Sequence, residues 1–376
     1  MLDFDNRELF DEDGSLLTYH KNAQINATGA QVIMLIGKRS CGKTYSTLTF
    51  DCIKRFIDSG YKEKFAYVRR SETEMMLIKN DIFSGMIKNG WLEWYTKGKW
   101  NDISYWQGKW YLRRINDEGE VEEKLKTPMA YAFCVSTSMK AKGPDYVDIF
   151  TIVFDEFIPL NGVYCAHEVQ QWQNLISTID RSRNRVKVYM LANTISTECP
   201  HFEHYRVDPD KLVQGRIHIF KVGTKGTLAV EYCNDVGSLE ATESVYFNLD
   251  DEVGSMILTG AWQRRKFQKL PDDIDVEKLC TFKVYMLHRE KLIDVYFLAT
   301  DVPTIYFAKS RQEQIDIDDL IYVDDQYIDS AAFKNVRVKF SQNDTIARCI
   351  LKKLSEGRCY FESDEIGEKV AYFASL

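Results

Sequence analysis

The octapeptide from Gly37 to Thr44, with the sequence GKRSCGKT, constrains the fold more than any other stretch of the chain. It fits the phosphate-binding pattern G-x-x-x-x-G-K-[ST] at every position. The apolar residues 30–36 before it predict a short buried strand, and residues 45–57 after it carry an apolar face at helical spacing. A glycine-rich turn between a strand and a helix presents several backbone N–H groups to one phosphate. The sequence therefore predicts a nucleotide-binding loop.

The pattern also gives the side chains of this loop their expected roles. The ammonium of Lys43 would reach the β- and γ-phosphates of ATP, and the Thr44 hydroxyl would coordinate Mg²⁺. Both ATP and Mg²⁺ are therefore expected as cofactors. Nucleotide binding is expected to involve the whole loop, which consists of Gly37, Lys38, Arg39, Ser40, Cys41, Gly42, Lys43 and Thr44.

A later apolar run, residues 149–154, is followed directly by Asp155 and Glu156. A strand of this composition is buried on both faces, as in the centre of a parallel sheet. We expect Asp155 to hold the Mg²⁺ through its water shell and Glu156 to polarise the water that attacks the γ-phosphate. Two acids at a solvated strand end are common in themselves. The phosphate loop upstream favours the catalytic interpretation.

Residues 186–193 predict a further buried strand, which ends in Asn193. The Asn193 amide is a candidate sensor of the γ-phosphate or of the attacking water, and capping of a strand-to-loop turn explains it equally well. Arg181, Arg183 and Arg185 alternate just before this strand. One of them can face a neighbouring subunit, where an arginine stabilises transition-state charge. Taken singly, each arginine is more often solvated or in contact with a phosphate backbone.

Many Trp and Tyr side chains are interleaved with basic residues between positions 91 and 114. Residues 105–112 predict a β-hairpin around a tight turn. Such a set can stack the bases of a single-stranded nucleic acid. More often it is an aromatic core with basic flanks, and this is the interpretation that we favour.

The bulk composition sets limits on partners and on sites. The chain has 376 residues, enough for two domains, and its net charge is −7, of which residues 1–200 contribute none. The composition therefore does not indicate a nucleic-acid partner. Nine cysteines without a C-x-x-C pair predict free thiols, and neither a disulfide framework nor a zinc site is expected. We expect no membrane span and no secretion signal, because no apolar run is long enough.

The order of these motifs resembles the DNA-encapsidation ATPases of small tailed phages, which are phi29-type packaging motors of the terminase large-subunit family. The phosphate loop and the strand that ends in Asp155-Glu156 carry the resemblance. It is extended by residues 67–70, 181–186 and 191–193, and more weakly by residues 357–362.

The resemblance implies an α/β fold of the P-loop NTPase class, ASCE-type and RecA-like, with a mostly parallel sheet over residues 1–200. Residues 201–275 mix turn residues, charge and short apolar pieces, so we expect a small linker or lid subdomain there. Residues 279–287, 293–300, 304–308 and 333–340 predict strands, and residues 344–356 predict a helix. The resemblance implies an α+β RNase H-like domain over residues 276–376. Relatives that cleave DNA carry converging acids in that last domain. Here the strand at residues 281–287 has no acid and Asp294 stands alone on the next one, so we expect nuclease activity to be absent.

The resemblance further implies a motor subunit that translocates double-stranded viral DNA into a procapsid by ATP hydrolysis. Its partners would be DNA, held through phosphates without sequence specificity, the portal or connector, and further copies in a ring, taken as a pentamer. Participation of a packaging RNA is left open. Arg39 would belong to the phosphate loop, Arg181 is the best match for the arginine that acts in trans, and Lys142 is a second candidate.

The implied location is the host cytoplasm, with transient docking on the portal, no membrane and no place in the mature virion. Two other functions compete with this one. A P-loop helicase or another DNA-dependent ATPase would use the same loop and acids. A nucleotide-gated structural adaptor of the portal would bind nucleotide without sustained turnover, and Glu156 argues against it because it supplies a base for water.

Overall fold

The chain divides into two compact units, the first made of residues 1–195 and 211–262 and the second of residues 196–210 and 263–376. The structure is a computed structural model. It describes residues 9–10, 16–17, 20–39, 41–141, 145–159, 162–194, 196–224, 226–233, 266–288, 291–312, 320–323 and 345–375.

The first unit is built on a 10-stranded sheet, and two further short strands, β1 (Leu9–Phe10) and β2 (Leu16–Leu17), form an antiparallel pair of their own. The strands of the large sheet are β3 (Val32–Gly37), β4 (Lys64–Arg69), β5 (Asp102–Trp106), β6 (Lys109–Ile115), β7 (Val121–Lys124), β8 (Ala130–Cys134), β9 (Ile149–Asp155), β10 (Lys187–Asn193), β11 (Ile217–Val222) and β12 (Gly226–Tyr232).

The strand order is β11-β12-β3-β10-β9-β4-β8-β6-β5, with β7 paired to β6. The six central strands, from β12 to β8, are all parallel. Their sequences are nearly continuous apolar runs because both faces of a parallel sheet are covered. In β3 and β4 every residue after the first is buried. The predicted P-loop NTPase fold with a mostly parallel α/β sheet is confirmed.

Short helices connect these strands. They are α1 (Ala23–Ala27), α2 (Lys43–Ser46), a π-helix (Thr47–Lys54), α3 (Arg55–Asp58), α4 (Glu72–Ile78), α5 (Ser84–Lys88), α6 (Trp91–Tyr95), a 3₁₀ segment (Val135–Ala141) and α7 (Glu168–Asp180). The helix predicted after the phosphate loop is confirmed as one helical run from α2 to α3, with π geometry in its middle.

Residues 72–88 carry apolar side chains at helical spacing and predict one helix, with Ser71 as its N-cap and Glu74 three residues on, as in a capping box. In the structure a turn between α4 and α5 interrupts this helix. At the end of α4 the carbonyl of Lys79 accepts a hydrogen bond at 2.7 Å from the indole of Trp110, a partner from outside the helix. The start of α4 is capped as expected, because the Ser71 hydroxyl accepts from the Glu74 amide at 3.2 Å. The carboxylate of Glu74 completes the cap on the amide of Arg70 rather than on that of Ser71.

The aromatic stretch forms the predicted hairpin, with β5 and β6 joined between Trp106 and Lys109. Gln107 and Gly108 both have positive φ angles, as a tight two-residue hairpin turn requires. Trp91, Trp100 and Trp110 are each 1% exposed, so they belong to the core and present no face to a nucleic-acid base. The core interpretation is therefore confirmed for these indoles.

Our expectation of a linker subdomain over residues 201–275 is wrong for part of that range. Strands β11 and β12 lie in this range, and β12 pairs in parallel with β3, next to the phosphate loop. A hairpin that returns to the sheet over such a distance leaves no local signal in the sequence. Residues 234–265 of that range lie outside the residues that the structure describes, and the domain boundaries there stay a prediction.

The second unit contains a mixed five-stranded sheet with the order β16-β13-β14-β15-β17. This α+β composition agrees with the expectation for the C-terminal region, and the RNase H-like assignment stays a prediction. Its strands and helices are α8 (Pro200–Tyr205), α9 (Val276–Leu279), β13 (Cys280–His288), β14 (Lys291–Leu298), β15 (Thr304–Lys309), β16 (Leu320–Val323), α10 (Thr345–Ser355), β17 (Cys359–Phe361) and α11 (Asp364–Ser375).

Three of the four C-terminal strands that the sequence predicts correspond to β13, β14 and β15, and the predicted helix corresponds to α10. The fourth predicted strand, at residues 333–340, lies outside the described residues. Strand β17 and helix α11 were not predicted. Among the described helices none has the length and apolar character needed to cross a membrane.

Candidate active site

Three neighbouring strands end at the same edge of the large sheet and bring the predicted site residues together. In the parallel register, Asn193 of β10 lies opposite Gly37 of β3, and Leu191 of β10 lies opposite Asp155 of β9. Carboxyl ends of parallel strands are where α/β sheets bind their ligands. The phosphate loop, the acidic pair and Asn193 therefore share one edge.

The phosphate loop turns tightly between β3 and α2. Gly42 has a φ of 92°, which only glycine adopts without strain, and it caps the helix that begins at Lys43. A side chain at Gly37 would meet the Cβ of Cys233 at 3.0 Å, so the backbone of β12 can approach the loop only because Gly37 has no Cβ. The two glycines of the pattern thus serve the turn and the packing.

The ammonium of Lys43 lies inside the loop. Its Nζ donates to the carbonyl of Gly37 at 2.9 Å and to that of Lys38 at 2.7 Å, and it contacts Sγ of Cys41 at 3.3 Å. A weaker contact of 3.4 Å reaches Oδ1 of Asn193. These backbone acceptors hold the cation inside the loop, and the Asn193 amide lies beside it.

The hydroxyl of Thr44 donates to Oδ1 of Asp155 at 3.2 Å. A hydroxyl and a carboxylate oxygen at this separation are hard oxygen donors of the kind that Mg²⁺ prefers, directly or through water. The pair fits the metal role that the sequence assigns to Thr44 and Asp155.

Glu156 follows β9 in a left-handed conformation with a φ of 58°. A non-glycine residue in this region costs about 1–3 kcal/mol, and such residues are concentrated at functional sites. The turn leaves the side chain 46% exposed at the rim of the site. An exposed carboxylate beside a phosphate loop is accessible to a water molecule.

Arg69 is the main residue that sequence reasoning missed. It ends β4, the neighbour of β9, and its side chain is 8% exposed. Its Nη1 donates to Oδ2 of Asp155 at 3.2 Å and its Nη2 to Oε2 of Glu156 at 2.7 Å. Burial disfavours the charge of the guanidinium, but Tyr67 and the carboxylates outweigh this and raise its pKa. The single guanidinium of Arg69 therefore positions both carboxylates.

Tyr67, two residues earlier on β4, completes the support of Asp155. Its hydroxyl donates to Oδ2 of Asp155 at 2.7 Å. Burial, reinforced by the Asp155 carboxylate, raises the pKa of the phenol well above its ordinary value, so the phenol remains a donor. The only hint in the sequence is that Tyr67 and Arg69 alternate at the end of a strand, which puts both on one face.

Arg70 points to the other side of the strand and anchors the turn after β9. It donates from Nε and Nη2 to the Glu168 carboxylate at 2.8 and 3.1 Å. It also donates to the carbonyls of Glu156 and Phe157 at 3.2 and 2.8 Å. Both charged side chains are almost fully buried, so this pair fixes the backbone that carries Glu156.

A cavity of about 480 Å³ lies at this sheet edge. Residues 41–44 of the phosphate loop, Asp155 and Glu156 lie around this one space. The lining residues are Cys41, Gly42, Lys43, Thr44, Tyr45, Gly85, Asn89, Asp155, Glu156, Leu191, Ala192 and Asn193.

Among the predicted residues that the structure describes, four are not part of this lining: Gly37, Lys38, Arg39 and Arg181. Arg39 is exposed on the loop, and in the part of the chain that the structure describes Arg181 does not line the cavity. Arg181 is the left-handed cap that ends α7, with its side chain 42% exposed and Nη1 3.8 Å from Oδ1 of Asp145. Ser40 and Lys142 lie outside the described residues.

Comparison with known proteins identifies a family that the chain matches. A family model described as podovirus DNA encapsidation protein (Gp16) matches residues 13–231. The DNA packaging proteins of Bacillus phage PZA and Bacillus phage phi29 are each 30% identical to this chain over 188 residues, which cover 50% of this chain and 49% of theirs. The chain spans about half the length of the curated relatives it matches.

Two solved structures share the fold over almost the whole chain. The bacteriophage Phi-29 viral genome packaging motor assembly contains a chain that superposes with a TM-score of 0.55 at 18% identity, covering 94% of this chain and 97% of that one. The Phi-28 gp11 DNA packaging motor gives a TM-score of 0.52 at 16% identity, covering 95% and 98%. At these identities the likeness concerns the fold alone.

Proposed function

The chain belongs to the podovirus DNA encapsidation (Gp16) family, and from this premise we propose that it is an ATP-hydrolysing motor subunit that moves double-stranded viral DNA into a procapsid through the portal. The observation that carries the proposal is the convergence of Lys43, Thr44, Asp155 and Glu156 on one cavity. Nucleotide binding, a metal site and a base for water are thereby within reach of each other.

The residues of the cavity divide the work of hydrolysis among them. Lys43 and the backbone N–H groups of the loop would hold the β- and γ-phosphates, and Thr44 and Asp155 would hold the metal. Bound Mg²⁺ would neutralise the negative charge that develops on the phosphate oxygens. Glu156 accepts a hydrogen bond from the attacking water and takes its proton as the water oxygen bonds to the γ-phosphorus. The bond from the γ-phosphorus to the β–γ bridging oxygen breaks, and ADP leaves with that oxygen.

Arg69 prepares this step by orienting Asp155 and Glu156 with one guanidinium. Oε2 of Glu156 accepts a hydrogen bond from Arg69 at 2.7 Å. Part of the capacity of this carboxylate to accept hydrogen bonds is therefore already used before nucleotide enters the cavity. Asn193 lies 3.4 Å from the Lys43 ammonium and is suited to report the presence of the γ-phosphate to β10. The alternative role, capping of a turn, involves no such contact with the loop lysine.

Arg181 is proposed to act in the site of a neighbouring subunit. Its exposure at the end of α7, away from its own cavity, suits a cation that is delivered in trans. An arginine of this kind makes hydrolysis depend on assembly into a ring. The proposed ring is a pentamer. Lys142 is the second candidate for the residue that acts in the site of a neighbouring subunit.

The motor is proposed to hold duplex DNA through its phosphates, because packaging must accept every sequence. Binding should then weaken steeply with salt. Further proposed partners are the portal of the procapsid and other copies of the chain, with packaging RNA left open. The proposed location is the host cytoplasm, with transient docking on the procapsid and absence from the mature virion.

We also propose that the C-terminal unit does not cleave DNA. The acid Asp294 on β14 is 3% exposed, and its Oδ2 is paired with Lys283 at 2.9 Å. The other acidic cluster among the described residues of this unit, Glu198 and Glu203 beside His288, is buried. Buried carboxylates cannot meet a phosphodiester.

The experiment that tests the proposed function is packaging of double-stranded DNA into cognate procapsids, read as DNA protected from added nuclease in the presence of ATP and Mg²⁺. Protected DNA is expected with the wild type and none with Lys43→Ala. A strand-separation assay without procapsids tests the helicase alternative, which the burial of Trp91, Trp100 and Trp110 disfavours. Strand separation without packaging would contradict the proposal, as would packaging without ATP consumption, which a structural adaptor would give.

A further inference from the structure

Three side chains with nitrogen, oxygen and sulfur donors, those of His20, Glu231 and Cys233, lie together next to the phosphate loop. Glu231 is in β12 and Cys233 follows the end of that strand two positions later, so both project to the same face. His20 precedes α1, and its backbone N–H donates to the carbonyl of Cys41 at 2.9 Å. The cluster therefore joins two separate segments of the first unit.

The donor atoms are close enough to surround one ion. Nδ1 of His20 is 3.7 Å from Oε1 of Glu231, and Nε2 of His20 is 4.0 Å from Sγ of Cys233. One ligand atom from each of these three residues lies within 4.8 Å of the other two.

Burial makes this arrangement costly without a further partner. His20 and Cys233 are 6% and 1% exposed. The second carboxylate oxygen of Glu231, Oε2, is buried and has no hydrogen-bond partner among the described residues. A buried carboxylate oxygen without a donor costs free energy that a bound cation would remove.

We propose that His20, Glu231 and Cys233 form a binding site for a divalent cation of the zinc class. Cysteine, histidine and carboxylate are the ligands of zinc, at about 2.0–2.3 Å from the metal, which places the ligand atoms of a tetrahedral site roughly 3.3–3.8 Å apart. Donors that lie up to 4.8 Å apart therefore have to approach one another by about 1 Å. Binding releases the thiol proton of Cys233 to solvent, because the thiolate is the ligand. The bound ion would fasten β12 to the segment before α1, beside the phosphate loop.

This site escaped the sequence analysis, which expected no zinc site because no two cysteines are spaced as a ligand pair. His20 and Glu231 are 211 residues apart in the sequence. Only the parallel pairing of β12 with β3 brings them together.

The test uses the full chain, purified under a thiol reductant and freed of metal with a chelator, and Co²⁺ as a spectroscopic substitute for Zn²⁺. One equivalent of Co²⁺ is expected to give a thiolate-to-metal charge-transfer band and the intense visible bands of four-coordinate cobalt. One equivalent of Zn²⁺ should then abolish both. Zn²⁺ should also raise the unfolding temperature of the chain, because it binds the folded state.

Cys233→Ser and His20→Gln are expected to weaken Co²⁺ binding at least tenfold and to abolish the gain in unfolding temperature. Cys134→Ser and His218→Gln, which change the same residue types elsewhere in the first unit, are the matched controls and should bind as the wild type does. Circular dichroism of each variant verifies that it is folded. If Cys233→Ser fails to fold, His20→Gln and Glu231→Gln carry the test.

The proposal is overturned if the wild type binds less than one equivalent of Co²⁺ or shows no thiolate band. It is equally overturned if folded variants of His20, Glu231 and Cys233 keep the signal, or if the control variants lose it. None of these readouts involves ATP hydrolysis or DNA, so failure here leaves the proposed motor function untouched.

Discussion

The guanidinium of Arg69 and the carboxylate of Glu156 form an ion pair at the rim of the cavity, with Nη2 of Arg69 2.7 Å from Oε2 of Glu156. Arg69 ends β4 and Glu156 follows β9, and these two strands are neighbours in the sheet. The same guanidinium contacts Asp155 through Nη1. The geometry of the acidic pair is therefore set from the adjacent strand as well as by the turn that carries it.

Arg69→Lys tests this positioning role. Lysine keeps the charge but has no planar fork, so it cannot hold both carboxylates at once. We expect kcat for ATP hydrolysis to fall by about 10–100-fold, since a displacement of about 1 Å can cost 10²-fold, while the KM for ATP changes little. Arg113→Lys, which alters the ion pair with Asp102 in the β5–β6 hairpin, is the matched control. Equal losses in both variants would refute the role of Arg69.

Arg181→Ala tests the action of arginine in a neighbouring site. If Arg181 completes the site of the next subunit, the variant should bind ATP normally and lose roughly 10³-fold in hydrolysis by the assembled motor. Mixed with wild type, it should depress hydrolysis more than its share of the subunits predicts. Arg183→Ala is the control, because Arg183 contacts the same Asp145 at 3.1 Å. Inhibition in strict proportion to the fraction of variant would contradict the trans role.

Glu168→Ala tests the anchor of the catalytic turn. It removes the partner of buried Arg70 and leaves an uncompensated charge, so the free energy of unfolding should fall by about 3–5 kcal/mol. Urea denaturation measures the change. Glu72→Ala breaks the exposed pair with Lys140 and should leave the transition where it is. A wild-type transition for Glu168→Ala would mean that the buried pair does not support the fold.

The buried carboxyl of Asp51 predicts a pH dependence of stability. Asn22 and Asn26 donate to it, each at 2.6 Å, but burial prevails and raises its pKa above the ordinary 3.8. The unfolded chain therefore loses this proton at lower pH than the folded one, so the contribution to stability is lost as pH rises from 3.8 through the raised pKa.

In urea denaturation at several pH values, the stability advantage of wild type over Asp51→Asn should shrink as pH rises in that window. The variant has no proton to lose at this position, which makes it the reference. An advantage that grows with pH would require a lowered pKa and would contradict the prediction.

The phosphate loop and the acidic pair could be predicted because each is a local pattern on one strand end. Lys43, Thr44, Asp155 and Glu156 needed only their spacing from an apolar run, and parallel pairing then brought them to one edge. Arg69 and Tyr67 could not be assigned in the same way, although their strand was predicted. Their function depends on β4 lying beside β9, and strand order is not written in local spacing.

The edge of the large sheet formed by β11 and β12 shows the same limit on prediction from the sequence. The segments that form β11 and β12 are short and mix polar and apolar residues, a pattern that favours a linker. In the structure β12 extends the parallel sheet beside β3, and the backbone amide of Cys233 donates to the carbonyl of Ile36 at 2.7 Å. Contacts of such sequence separation are decided by tertiary packing and not by propensity.

The central claim, that a triphosphate held by Lys43 is split by water primed by Glu156, is tested most directly by Glu156→Gln in the complete motor with portal, DNA, ATP and Mg²⁺. The amide keeps the size of the side chain but cannot take a proton, so hydrolysis should fall by roughly 10²–10⁴-fold while binding of an ATP analogue is retained. Glu72→Gln is the surface control. Hydrolysis by Glu156→Gln at the wild-type rate would contradict the account.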